Sequence, residues 1–250
     1  LVRCTQKYDK ENDIIKTASR GGGDYDIPTT LIRQDEQLLE FFRENPDIIL
    51  DGELYVHGWT LQKISGTCRK KEWVESRHAP LEYWVFDIVD PSMNFNERLD
   101  ILTDMHLDFG ENEKVIILEH VLVEGWSSVK RLHDKYVAEG FEGVVLRKPN
   151  KKYSPGSKNS DWVKVKDYMD DEFEIIGIEE KLRDEDMVFT MKTKAGQKFN
   201  AKPVGNREIK KDYLENWPEL VGKMATVTYF SLHEGIPQQP VFKSIREEGE

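Results

Sequence analysis

Short apolar runs and polar breaks set the rhythm of this chain. Leu1 to Cys4 is apolar and strand-like, Lys10–Asp13 is a polar turn, and Ile14–Ser19 is a second strand stopped by Gly21-Gly22-Gly23. Leu38, Leu39, Phe41 and Phe42 predict an amphipathic helix over Gln34–Glu44, ended by Pro46. Ile48–Val56 and Leu81–Val89 read as buried strands, and Thr60–Glu75, Asn96–Asp104 and Ser127–Glu139 as helices, with Ile116–Val123 extended. Gly143–Arg147 and Trp162–Lys166 are strands separated by the polar loop Lys148–Asp161.

The texture then changes. Asp167–Glu172 reads as an acidic connector and a hinge, and short strands follow at Phe173–Ile178, Met187–Thr193, Gln197–Ala201 and Ala225–Ser231. A helix is predicted over Asn206–Asn216. Many short strands within about 80 residues predict a small closed β barrel.

Composition alters this picture in two ways. The formal charge of −11 is uneven: residues 1–150 carry 19 Lys plus Arg against 28 Asp plus Glu, and the remainder 17 against 19. An acidic total does not exclude a phosphate ligand, because the local patch decides. It predicts a basic strip on an acidic body. Cys4 and Cys68 are the only cysteines, which excludes a disulfide framework and a paired-cysteine zinc module. With no membrane-length apolar run, the sequence reads as a soluble cytoplasmic protein.

The chemistry-bearing residues cluster on the strands. Asp51 and Glu53 share one strand face. As an isolated pair they would read as an exposed acidic end, but Glu142 opens a second apolar strand. Carboxylates converging from separate strands can hold magnesium against a substrate phosphate. Lys164 and Lys166 alternate with valines, so both ammonium groups share a face and repel unless an anion lies between them. Ser19-Arg20 opens the glycine turn and offers a guanidinium fork to a terminal phosphate. In Tyr83-Trp84-Val85-Phe86-Asp87, Phe86 is the favoured ring for stacking on a base. Arg69-Lys70-Lys71 is a basic helix face. The histidines show no ligand spacing, and no GxxxxGK[ST] loop occurs.

With these residues in order, the chain resembles the ATP-dependent DNA ligases of the small bacteriophage kind, within the covalent nucleotidyltransferases. Asp51–Tyr55 matches the family's D-G-E strand, Tyr83–Ile88 its aromatic-F-D strand, Glu142–Arg147 its E-G-[VIL]-V-x-[KR] strand, and Trp162–Lys166 its W-x-K-x-K strand. Ser19-Arg20 matches the S-R before the first helix, and the ending from Gly235 to Arg246 resembles the last strand of the phage enzymes' OB-fold domain. The resemblance implies an α+β fold: a nucleotidyltransferase (adenylation) domain of antiparallel sheets with flanking helices at 1–167, then an OB-fold barrel at 168–250.

It also implies nick sealing in duplex DNA by a monomer, using ATP and Mg2+. A lysine takes AMP from ATP, AMP moves to the 5′-phosphate at the nick, and the 3′-hydroxyl displaces it. Glu53 and Glu142 would hold the metal. Arg3, Phe86, Arg147, Lys164 and Lys166 would hold the nucleotide, with Lys164 and Lys166 stabilising the α-phosphate and Asp51 orienting the site. Arg20, Arg69, Lys70, Lys71, Lys243 and Arg246 would meet DNA. RNA ligase, mRNA-capping-type transferase and a nick-binding protein without the nucleophile are the alternatives.

One departure stands out. The family's nucleophile lies in K-x-D-G-x-R, which this sequence does not contain; Lys7-Tyr8-Asp9-Lys10 lacks the glycine. Arg3 aligns with the arginine that ends the motif, which places the lysine ahead of Leu1. The expectation is a missing upstream segment and a chain that does not adenylylate itself.

Overall fold

Val2–Asp9 (β1) and Ile14–Ser19 (β2) form an antiparallel hairpin that turns at residues 10–13. The structure, a computed structural model, describes residues 2–19, 21–23, 32, 35–70, 72–110, 112–155, 161–180 and 187–246. Glu36–Glu44 (α1) packs on β1 and buries Leu38, Leu39 and Phe42. Asp35 caps it, accepting from the Leu38 amide at 2.8 Å. Ile49–Tyr55 (β3) pairs antiparallel with β1.

The expected single helix over Thr60–Glu75 is two short ones, Leu61–Cys68 (α2) and Glu75–His78 (α3). Glu82–Ile88 (β4) runs antiparallel to β3, and Val115–Ile117 (β5) parallel to β4, giving the sheet order β2-β1-β3-β4-β5. The extended segment predicted to reach Val123 therefore ends as strand at Ile117. Phe95–Asp108 (α4) starts in a capping box between Asn94 and Glu97. Gly125–Ala138 (α5) leads to Gly143–Arg147 (β6), which pairs with Trp162–Lys166 (β7) in a separate two-stranded sheet.

Side chains alternate across the large sheet, as the strand period requires. Val2, Cys4, Leu50, Leu54, Tyr83 and Val85 enter the core beneath the helices, each at most 6% exposed. Burying an aliphatic or aromatic side chain of this kind contributes about 1.5–3 kcal/mol. The opposite face is left for Arg3, Asp51, Glu53, Trp84 and Phe86.

The chain divides into compact units at Leu1–Val165 and Lys166–Glu250. In the second, Met169–Glu180 (β8), Met187–Lys192 (β9), Lys198–Pro203 (β10), Met224–Tyr229 (β11) and Val241–Ile245 (β14) close a barrel in the order β10-β14-β11-β8-β9. Closure removes free sheet edges. Phe189 and Phe242 stack at 4.2 Å in its core. Arg207–Asn216 (α6) lies between β10 and β11 in sequence. Ser231–His233 (β12) and Ile236–Gln238 (β13) form a hairpin that the sequence pattern did not predict; its turn places Glu234 at φ 50° and Gly235 at φ 81°.

The hinge expected at Asp167–Glu172 is corrected here: β8 begins at Met169 and pairs with β11 through Asp170, Asp171 and Glu172. Asp170 and Glu172 share one strand face, where Thr228 of β11 and the cations Lys243 and Arg246, on and just after β14, meet them. Thr228 donates to Asp170 at 2.6 Å, Lys243 lies 3.2 Å from it, and Arg246 donates to Glu172 at 2.5 Å.

Candidate active site

Arg3, Glu53 and Trp84 occupy one row across β1, β3 and β4. The register then slips between Asp51 and Gly52, so Phe86 is an extra residue on β4 and Asp87 stands opposite Asp51. A bulge of this kind re-aims side chains beside a site. The glycine of the D-G-E phrase is forced by packing. A Cβ on Gly52 would lie 2.5 Å from the Trp84 carbonyl and 2.7 Å from the Tyr83 ring.

Two buried carboxylates organise this face. Asp51 is fully buried and accepts from Arg3 Nε at 2.8 Å, from Arg3 Nη2, and from the Tyr153 hydroxyl at 2.7 Å. Arg3 Nη2 also donates to the Tyr153 oxygen at 3.2 Å. The Arg3 guanidinium lies 4.9 Å from the Trp162 ring centre and 5.3 Å from that of Phe86. Burial alone would loosen the Arg3 proton, but its hydrogen bond and charge contact with Asp51 outweigh it and raise the pKa. Burial, then the Asp51 charge, pushes the Tyr153 phenol well above its ordinary value. Tyr153 therefore stays protonated and donates.

Asp87, also fully buried, is shared by two arginines. Arg98 Nε donates at 2.7 Å and its Nη2 at 3.3 Å, Arg147 Nη2 donates to the other side, and the Ile88 amide donates at 2.8 Å. Arg98 also binds the Met93 carbonyl, and Arg147 the Phe86 carbonyl, at 2.7 and 2.8 Å. The Arg147 guanidinium sits 4.0 Å from both the Phe95 and Trp162 ring centres. Burial lowers its pKa first, and the like charge of Arg98 adds to that against the pull of Asp87. Arg147 is thus committed to Asp87 and to its two rings.

Glu53 and Glu142 bear on one phenol. Tyr55 is pushed up by burial and then by the charges of Glu53, Glu142 and Glu82. Its ring lies 4.6 Å from Trp84, and Phe141, next to Glu142, lies 5.9 Å from Trp84. Gly143 has φ 137°, and a Cβ there would meet the Val165 carbonyl at 2.1 Å, so the E-G phrase also needs its glycine where β6 meets β7. Lys164 is exposed on β7. Lys166, half-buried two positions on, carries its Nζ 4.6 Å from the Phe230 ring centre.

Of the other expected ligands, Arg69 and Lys70 are exposed just beyond α2, and Arg20 and Lys71 lie outside the described residues. Lys243 and Arg246 are exposed on β14 and just after it, paired with Asp170 and Glu172. Sequence reasoning missed Arg98, Tyr153 and the bridging role of Asp87. A signal existed for Arg98: with Phe95, Leu102 and Met105 it falls on the helix stripe that packs inward, where an arginine needs a buried partner. Among the described residues no group of three His, Cys, Asp or Glu side chains is arranged to hold a metal.

Strands bearing D-G-E, aromatic-F-D, E-G-V-V-L-R and W-V-K-V-K, followed by a five-stranded barrel, present in order the phrases on which the resemblance to the nucleotidyltransferases rests. Residues 2–166 match the model of the ATP-dependent DNA ligase domain, and the chain belongs to that family. A DNA ligase of African swine fever virus is 32% identical over 138 residues, covering 52% of this chain and 31% of the relative. A DNA ligase of Archaeoglobus fulgidus is 27% identical over 136 residues, covering 50% of this chain and 24% of that protein. The chain thus spans less than a third of the curated relatives it matches. A solved Lig E DNA ligase, studied for DNA binding with a minimal scaffold, shares the fold: TM-score 0.70 over 98% of this chain and 89% of that one, at 18% identity.

Proposed function

We propose that this chain carries out the nick-sealing chemistry of an ATP-dependent DNA ligase, joining 3′-hydroxyl and 5′-phosphate ends in duplex DNA through an adenylylated 5′ end. The observation that carries the reading is the paired clusters Arg3–Asp51–Tyr153 and Arg98–Asp87–Arg147 beside Phe86, all within the residues that match the family's domain. Phe86 stacks on adenine, a contact worth about 1–3 kcal/mol. Lys164, and Lys166 two positions along β7, meet charge on the α-phosphate. Asp51 holds the Arg3 fork toward the reacting phosphates.

Glu53 and Glu142 suit magnesium, which is commonly bound by one or two carboxylates plus substrate phosphate and keeps several waters. Glu53 is two residues from Tyr55 on β3, and the Tyr55 ring lies 6.4 Å from that of Phe141, the neighbour of Glu142, which supports that pairing. Held by these two carboxylates, a magnesium ion would supply positive charge against the phosphoryl group being transferred. The basic residues Arg20, Arg69, Lys70, Lys71, Lys243 and Arg246 contact the DNA backbone, and the protein acts as a monomer. Two buried free thiols, Cys4 and Cys68, support a reducing cytoplasm as its compartment.

The test uses nicked duplexes with a 5′-phosphate or a ready-made 5′-adenylate, in all-DNA and RNA-containing forms, with ATP or GTP. Sealing of the adenylylated DNA nick with magnesium is expected. No lysine of the 250 residues stands in K-x-D-G-x-R. Accordingly no covalent label from ATP is expected on the denatured chain. Preference for RNA-containing nicks or for GTP would replace the DNA reading.

A further inference from the structure

Tyr153 is hydrogen-bonded within one carboxylate cluster and lays its ring against the other. Its hydroxyl donates to Asp51 at 2.7 Å and receives Arg3 Nη2 at 3.2 Å, while its ring lies 5.6 Å from the Arg98 guanidinium, which is bound to Asp87. It belongs to the stretch after β6 that is tied to the start of α4. There the Asn96 amide donates to the Pro149 carbonyl at 3.0 Å, and Lys152 bridges to Asn94. The contact therefore reaches from the Glu142 side of the domain to β1 and β3.

Without Tyr153, Asp51 would still bind the Arg3 fork, but one lone pair of a fully buried carboxylate would lose its donor. The fork would also lose its third fixed point. We propose that Tyr153 is a positioning residue: its protonated hydroxyl sets the orientation of the Arg3 fork, and so of the reacting phosphate, for nucleotidyl transfer. This rests on the ligase reading above.

The experiment is single-turnover sealing of a 5′-adenylylated nick by the full chain, with DNA affinity measured alongside. Tyr153→Phe keeps the ring and removes only the hydroxyl. It should slow sealing about tenfold, the usual weight of one oriented hydrogen bond to a charged group, while the dissociation constant for the nick stays within about twofold. Because the residue acts through Arg3, the loss should largely vanish in an Arg3→Lys background, which a double-mutant cycle reads as non-additivity. A Tyr153→Phe protein that seals at the wild-type rate overturns the proposal. So does one whose loss multiplies independently with Arg3→Lys, or one that fails only through weaker DNA binding or a lower melting temperature. Failure of the wild type to seal the adenylylated nick is a different outcome: it removes the ligase reading, and this proposal with it.

Discussion

Replacing Asp87 with asparagine keeps its shape and exchanges one carboxylate oxygen for an NH2 group. Asp87 is 0% exposed and holds two guanidiniums whose side chains are 2% and 8% exposed. The asparagine carbonyl can still accept from Arg98 Nε or from the Ile88 amide. The new NH2, however, faces a guanidinium donor, and two buried positive charges lose their only shared anion. Breaking a buried ion pair by removing one partner costs about 3–5 kcal/mol. The assay is urea unfolding of the full chain, following the tryptophan signal of the first unit. Asp47→Asn is the control, since its pair with Lys10 at 3.1 Å has side chains 92% and 58% exposed. That change should stay within about 0.5 kcal/mol. A loss below about 1 kcal/mol for Asp87→Asn would refute the view that this carboxylate is the electrostatic centre of the domain.

Gly52→Ala and Gly143→Ala each force a Cβ onto a backbone carbonyl, at 2.5 and 2.1 Å; each should cost about 1–3 kcal/mol or more in the same assay. Alkaline pH should destabilise the fold, because burial pushes the Cys68 thiol up to about 12 and the Cys4 thiol and Tyr153 phenol higher still. Unfolded thiols ionise near about 8.5, so this stability is complete below that pH and declines as pH rises toward 12. Melting temperatures that stay flat from pH 8 to 11, or that rise, would contradict the sign. Lys243→Met should lower the salt slope of nicked-DNA binding by about one unit if its ammonium meets a backbone phosphate. An unchanged slope would leave Lys243 as the partner of Asp170 alone.

Much of the sheet was legible because each strand carries both a period of two and a phrase that fixes its place. Asp51, Glu53 and Phe86 sit where alternation puts them, on the face away from Leu50 and Val85, whereas Asp87 comes opposite Asp51 only through the bulge. Asp170–Glu172 misled because acids in an exposed strand read as a linker until their cross-strand partners Thr228, Lys243 and Arg246 are known. The two clusters were hidden for the same reason. Asp51 finds Tyr153 at a separation of 102 residues, and Asp87 finds Arg147 at 60. No local pattern announces such partners. Tyr153 in particular lies in a polar loop, where composition gives no hint of a half-buried phenol bound to a buried carboxylate.

The most direct measurement is a crystal structure of the chain soaked with AMP and magnesium. The account predicts the adenine ring against Phe86 and the phosphate on the side of Glu53, Glu142 and Lys164, with the Arg3–Asp51–Tyr153 contacts kept. A nucleotide bound away from the β1–β3–β4 face, with Phe86 uncovered, would contradict it.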